Sequence, residues 1–200
     1  MSFIAIEPRT LDGAVANLTE LDSTSHPIII WRLILTSQSH IFQPALNTTT
    51  TTRPVSGTLL SQSLDFLFPQ LSSSAKAGPS LARIESCLAT PQTFSLFLAT
   101  TTNAQGDITT ILGCLTLVTL TLLMNSRAHI EDLVVSTECR GQGVGRALMQ
   151  RALHEAIHTH KCSMVDLTSK PDRLQARKLY ESLGFQIRDT GAFRYYAKTS

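Results

Sequence analysis

Residues 130–148 read IEDLVVSTECRGQGVGRAL, and this stretch decides the fold. Its first six residues are β-rich and apolar apart from Glu131 and Asp132. Arg140-Gly141-Gln142-Gly143-Val144-Gly145 then makes a glycine-rich turn, and a helical period begins at Val144. A strand, a turn and a helix start in that order aim several backbone N–H groups and the positive end of a helix dipole at one point, which is an anion site. Gly141, Gly143 and Gly145 lack a Cβ, so a phosphate can approach the backbone closely, and Arg140 adds positive charge at the mouth. A Walker A loop needs Lys and then Ser or Thr after its last glycine, where Arg146-Ala147 stand here. A dinucleotide loop counted from Gly143 needs a third glycine where Leu148 stands. The remaining pattern is Arg140-x-x-Gly143-x-Gly145. Taken alone, it suits a plain glycine-rich helix cap as well as a phosphate loop.

The totals narrow the class. Two hundred residues suit one domain with a sizeable core. The chain is 42% hydrophobic and only 16% charged, which excludes a disordered chain. A net charge of +2 gives no basis for nucleic-acid binding. The opening residues MSFIAIEPRT lack the basic start and long apolar run of a secretory signal, and the apolar run at 28–31 is far too short to span a bilayer. Cys87, Cys114, Cys139 and Cys162 make no C-x-x-C spacing. They read as reduced thiols, and the expectation is a cytoplasmic protein with no membrane partner.

Along the chain, residues 3–6 read as a first strand and 11–21 as a helix with Leu11, Val15, Leu18 and Leu21 on one stripe. Residues 26–35 suit a buried strand or a short helix, between which periodicity does not choose. Residues 47–53, NTTTTTR, read as a loop. Residues 63–71 form a helix disturbed by Pro69, and Ser80 caps a second over 81–89. Strands follow at 94–100 and 111–123, the second apolar on both faces as in a central strand. The helix after the glycine turn carries Val144, Leu148, Ala152 and Ala156 inward, with Arg146, Gln150, Arg151 and Glu155 outward. A strand at 163–168, a capping box from Ser169 to Asp172, a helix stopping at Gly184 and a final pair of strands at 185–188 and 192–197 complete the chain. This order gives a mixed sheet with helices on both faces.

A second block, Arg173-Leu174-Gln175-Ala176-Arg177-Lys178-Leu179-Tyr180-Glu181-Ser182-Leu183-Gly184-Phe185, adds to the first. Arg140-x-x-Gly143-x-Gly145 resembles the acyl-CoA pyrophosphate loop of the GNAT family of N-acetyltransferases. Ala176, Leu179, Tyr180 and Gly184-Phe185 resemble that family's C-terminal block, in the family's order and spacing. Arg173 stands where many members have Asn. The resemblance covers about residues 64–198. It implies a single acetyltransferase domain over 1–200, an α/β (α+β) fold with a mostly antiparallel sheet, and residues 23–60 as an insertion or irregular segment. It also implies acetyl-CoA as co-substrate and no metal. The cofactor contacts it implies fall on Leu133, Val134, Val135, Arg140, Gly141, Gln142, Gly143, Val144, Gly145, Arg146 and Arg173.

Amine acylation sets its own demands. The acceptor must lose a proton before it attacks, the departing thiolate must gain one, and the oxyanion needs donors. Glu131 and Asp132 enter the loop together, but neighbouring strand residues face opposite ways, so one of the two is expected to reach the substrate. The Glu-Asp pair is similar to that of diamine and amino-sugar-phosphate acetyltransferases, a resemblance that makes Glu131 the base and Asp132 the second choice. By the same resemblance Tyr180 is the general acid, and the backbone N–H of Val134 or Val135 is the oxyanion donor. Cys139 lies near a helix N-terminus, where a thiol pKa can fall, but it has no adjacent base and reads as a bystander. His154, His158 and His160 lack the further ligands of a metal site. The expected partner is a small-molecule amine, with protein amines as the alternative and a homodimer as one use of residues 23–60. A binding module without turnover is the competing class.

Overall fold

The computed structural model describes residues 3–8, 28–36, 53–72, 74–105 and 107–197. The helix expected at 11–21 and most of the 47–53 loop lie outside the described residues. Contacts divide the chain into two compact units, 1–168 and 169–200.

The first unit is built on one sheet. Its strands are β1 (Phe3–Pro8), β2 (Ile29–Thr36), β3 (Arg53–Val55), β4 (Phe94–Thr102), β5 (Ile108–Thr121), β6 (Ser126–Val135) and β7 (Met164–Leu167). They lie in the order β3-β1-β2-β4-β5-β6-β7. Every pairing is antiparallel except β6 with β7. The ambiguous apolar run near residue 30 is a strand. Tertiary pairing decides it, because Trp31 lies opposite Leu98 and its indole N–H donates to Thr100 Oγ1 at 2.8 Å. Both β2 and β3 fall inside the stretch 23–60 and belong to the sheet.

Helices α1 (Gly57–Leu71) and α2 (Leu81–Leu88) cover one face. Ser56 starts α1 by accepting from Leu59 N at 3.0 Å, and Ser80 starts α2 by accepting from Arg83 N at 3.3 Å. Pro69 falls in the last turn of α1, where it has no N–H to give the helical ladder, and the helix ends two residues later at Leu71. Leu60, Leu64 and Leu67 of α1 recur at helical spacing. They pack with Ile84, Leu88, Leu96, Leu98, Cys114 and Val134 into one core.

Helix α3 (Val144–His154), continued by a wider π turn (Glu155–Thr159), covers the other face. Phe97 alternates with Leu96 and Leu98 in β4, and the Arg151 guanidinium of α3 lies 5.1 Å from its ring centre. Arg151 and Glu155 do not face outward as their charge predicts. They are 3% and 1% exposed. Arg151 Nη1 donates to Glu155 Oε2 at 2.9 Å, and Arg32 Nη1 of β2 reaches Glu155 Oε1 at 3.2 Å. The carboxylate is buried because two guanidiniums satisfy it there. No helix among the described residues is long and apolar enough to cross a membrane.

The second unit holds α4 (Leu174–Ser182). The capping box expected from Ser169 to Asp172 does not form. Pro171 disfavours helical backbone at Lys170, so 170–174 makes a turn in which Arg173 N donates to Lys170 O at 3.2 Å. Helix α4 ends as expected at Gly184 (φ 89°), with Phe185 N donating to Tyr180 O at 3.0 Å. The final pair of strands expected at 185–188 and 192–197 is absent, and Phe193 and Tyr195 are exposed. Alternating residues make a strand only where a neighbouring edge supplies hydrogen bonds, and a lone two-stranded ribbon is marginal.

Candidate active site

The glycine turn forms where the sequence places it. Strand β6 ends at Val135, a short 3₁₀ turn spans Thr137–Cys139, and α3 begins at Val144. Gly141 (φ 80°) and Gly143 (φ 81°) both adopt left-handed backbone, which an L-residue enters at a cost of ~1–2 kcal/mol. The first bond of α3 runs from Ala147 N to Gly143 O, so the amides of Val144 and Gly145 precede the helical ladder. A side chain at Gly141 would meet no atom within 4 Å, so the outside of the turn is open to a ligand. Arg140 bridges turn and strand, donating from Nε to Val135 O at 3.2 Å, and Gln142 Nε2 donates to Glu138 O at 3.2 Å. Arg140, Gln142 and Arg146 are exposed, while Val144 is buried. Glycines, helix start and an exposed Arg140 fit an anionic diphosphate.

The strand feeding the turn departs from simple alternation. Cys114 of β5 lies opposite Val134, but Thr116 lies opposite Glu131, so β6 carries one extra residue there. This β-bulge is centred on Asp132, whose φ is +50°. The Oγ1 of Thr116 donates to Asp132 Oδ2 at 3.1 Å. Because Glu131 is opposite Thr116 and Asp132 bonds to Thr116, both carboxylates lie on one face of the sheet. The expectation that only one of them reaches that face is therefore corrected: the bulge absorbs the half-turn that alternation imposes. His129, two residues back on the same face, has Nδ1 3.1 Å from Glu131 Oε1.

Beyond the bulge, β6 has one partner. Its ladder with β7 stops where Ile130 meets Leu167. Among the described residues, 131–135 take strand partners only from β5, and on the side where β7 has ended Arg140 Nε reaches Val135 O. Such an opening between parallel strands gives an extended amide-bearing ligand a ladder partner.

Tyr180 and Arg173 belong to the second unit. Burial pushes the Tyr180 phenol above the ordinary tyrosine range, partly offset by the Arg173 charge. The Tyr180 ring meets Phe185 edge-on at 6.1 Å. The Cys139 thiol is raised rather than lowered, by burial and then by Glu138, so the helix start does not activate it. Cys114 is raised far more, by complete burial and then by Asp132. The His154 and His158 rings lie 4.6 Å apart, tilted by 46° to each other. Among the described residues no group of His, Cys, Asp and Glu could hold a metal ion.

The profile of the Acetyltransferase (GNAT) family matches residues 66–185, which include the bulge, the glycine turn and α4. The chain belongs to the GNAT family. N-alpha-acetyltransferase 30 of Xenopus laevis is 37% identical over 73 residues, 36% of this chain and 26% of that protein. N-acetylaspartate synthetase of Rattus norvegicus is 38% identical over 81 residues, 37% of this chain and 26% of that protein. The chain thus spans a minor share of either relative's length. Glucosamine-6-phosphate N-acetyltransferase from Arabidopsis thaliana shares the fold, with a TM-score of 0.57 over 72% of this chain and 97% of that one at 16% identity. Sequence reasoning within this GNAT chain missed Thr116, which in an apolar strand looks like any β-branched residue. The available signal was Gly113, since a glycine inside a strand often marks a bulge or a close backbone approach.

Proposed function

We propose that this GNAT protein is an N-acetyltransferase that moves an acetyl group from acetyl-CoA to the primary amine of a small-molecule acceptor, by direct attack in a ternary complex. The observation that carries the proposal is the bulge, which sets Glu131 and Asp132 on one face of the strand that feeds the glycine turn. Acetyl-CoA supplies an activated thioester, held by its diphosphate at Gly141, Gln142, Gly143, Val144, Gly145 and Arg146, with Arg140 at the mouth and Arg173 beside the pantetheine arm. Its amides pair with the open side of Leu133, Val134 and Val135. Glu131 accepts the proton the acceptor ammonium must lose, and Asp132 holds that ammonium on the same face. A main-chain N–H at Val134 or Val135 donates to the carbonyl oxygen as negative charge develops there. As the C–S bond breaks, Tyr180 gives its proton to the thiolate, a role suited to a phenol that stays neutral well into alkaline pH. Burial raises the thiols of Cys114 and Cys139, the cysteines beside the bulge and the turn, which favours direct transfer over an acyl-enzyme. We further place the protein in the cytoplasm, as a single domain.

A second reading takes protein N-termini as acceptors. It is supported by the 37% identity to N-alpha-acetyltransferase 30 over the matched segment. A thiol-release screen with acetyl-CoA against diamines, amino sugars, amino acids and N-terminal peptides tests both. Turnover on a small amine supports the first reading, turnover confined to peptides the second, and acetyl-CoA binding without turnover on any amine contradicts both in favour of a binding module.

A further inference from the structure

We infer that Thr116 is a positioning residue for acyl transfer, the group that fixes Asp132 beside Glu131. The inference rests on the proposed role of the two carboxylates. Left-handed backbone at an aspartate is strained, and such strain persists only where its surroundings over-determine it. Three neighbouring residues of β5 do so. Thr116 Oγ1 donates to Asp132 Oδ2 at 3.1 Å. Cys114 Sγ lies 3.8 Å from Asp132 O. Gly113 lets the strands close up, since a Cβ there would sit 2.6 Å from Val134 O. Of the three, only Thr116 touches the carboxylate itself. Thr116 is 5% exposed, so water does not compete for its hydroxyl. With Oδ2 taken up by Thr116, Asp132 turns Oδ1 to the acceptor. Without that bond the carboxylate rotates about its own side-chain torsions, and the pair that receives the ammonium loses its geometry.

Thr116→Val keeps the shape of the side chain and removes the donor, while Thr116→Ser keeps the donor. With the best acceptor from the screen, Thr116→Val should lower kcat roughly ten-fold and leave the KM for acetyl-CoA unchanged. Thr116→Ser should recover most of the loss. In an Asp132→Asn background, Thr116→Val should have little further effect, because the two residues act as one unit. Wild-type kcat in Thr116→Val overturns the inference. So does an equal loss in the Val and Ser variants, which would make Thr116 a packing residue only. If Asp132→Asn itself retains wild-type kinetics, the carboxylate reading fails instead, whatever Thr116 does. Absence of turnover with every amine overturns both.

Discussion

In the proposed mechanism Tyr180 and Glu131 carry opposite halves of the proton traffic, so their variants should fail differently. Tyr180→Phe should lower kcat by ~100-fold with little change in acetyl-CoA affinity, measured by steady-state kinetics and titration. A general acid works while protonated, so activity persists below its pKa and falls above it. Burial raises the Tyr180 pKa, so the alkaline limb of the wild-type profile should lie above the ordinary tyrosine value of about 10. Glu131→Gln should flatten the acidic limb of the pH–rate profile, and a limb identical to wild type would move the base to another residue. At this scale the sequence names the candidates, since Glu131, Asp132 and Tyr180 stand in motifs. Their geometry was not. The bulge depends on how β5 registers against β6, where Thr116 meets Glu131 and Cys114 meets Val134, and one strand's alternation carries no trace of it.

Among the elements, the glycine turn and α3 form where the period changes, because Gly141 and Gly143 accept left-handed backbone that other residues resist. Gly143→Ala should destabilise the fold by ~1–2 kcal/mol in urea unfolding and weaken acetyl-CoA binding as well. Gly113→Ala should disturb the bulge from the opposite strand. A fully wild-type unfolding curve and kcat in that variant would show that the close approach to Val134 relaxes freely. The outward placement of Arg151 and Glu155 failed for a physical reason: charge reads as solvent-facing until a distant partner is known. That partner, Arg32, lies more than a hundred residues away in β2. Removing Glu155 leaves Arg151 buried beside Phe97 without its carboxylate. Glu155→Gln should therefore destabilise the protein by roughly 3–5 kcal/mol, read from the urea midpoint. The strands expected at 185–188 and 192–197 were misread because alternation states which residues could share a face, not whether an edge is there to receive them.

For the whole molecule, the mixed sheet with helices on both faces was legible from element order and from the two motif blocks, which fall within the stretch matched to the GNAT family. Strands β2 and β3 were harder, because the short apolar run near Trp31 has no period of its own and its identity is fixed by pairing with β1 and β4. The proposed function stands on the turn from Arg140 to Gly145 holding acyl-CoA for transfer to an amine. Calorimetric titration of the purified protein with acetyl-CoA, with ATP as the control anion, tests it most directly. Saturable, one-site binding of acetyl-CoA and none of ATP is expected; no heat with acetyl-CoA, or equal binding of the two, would overturn the acyl-CoA reading of the turn.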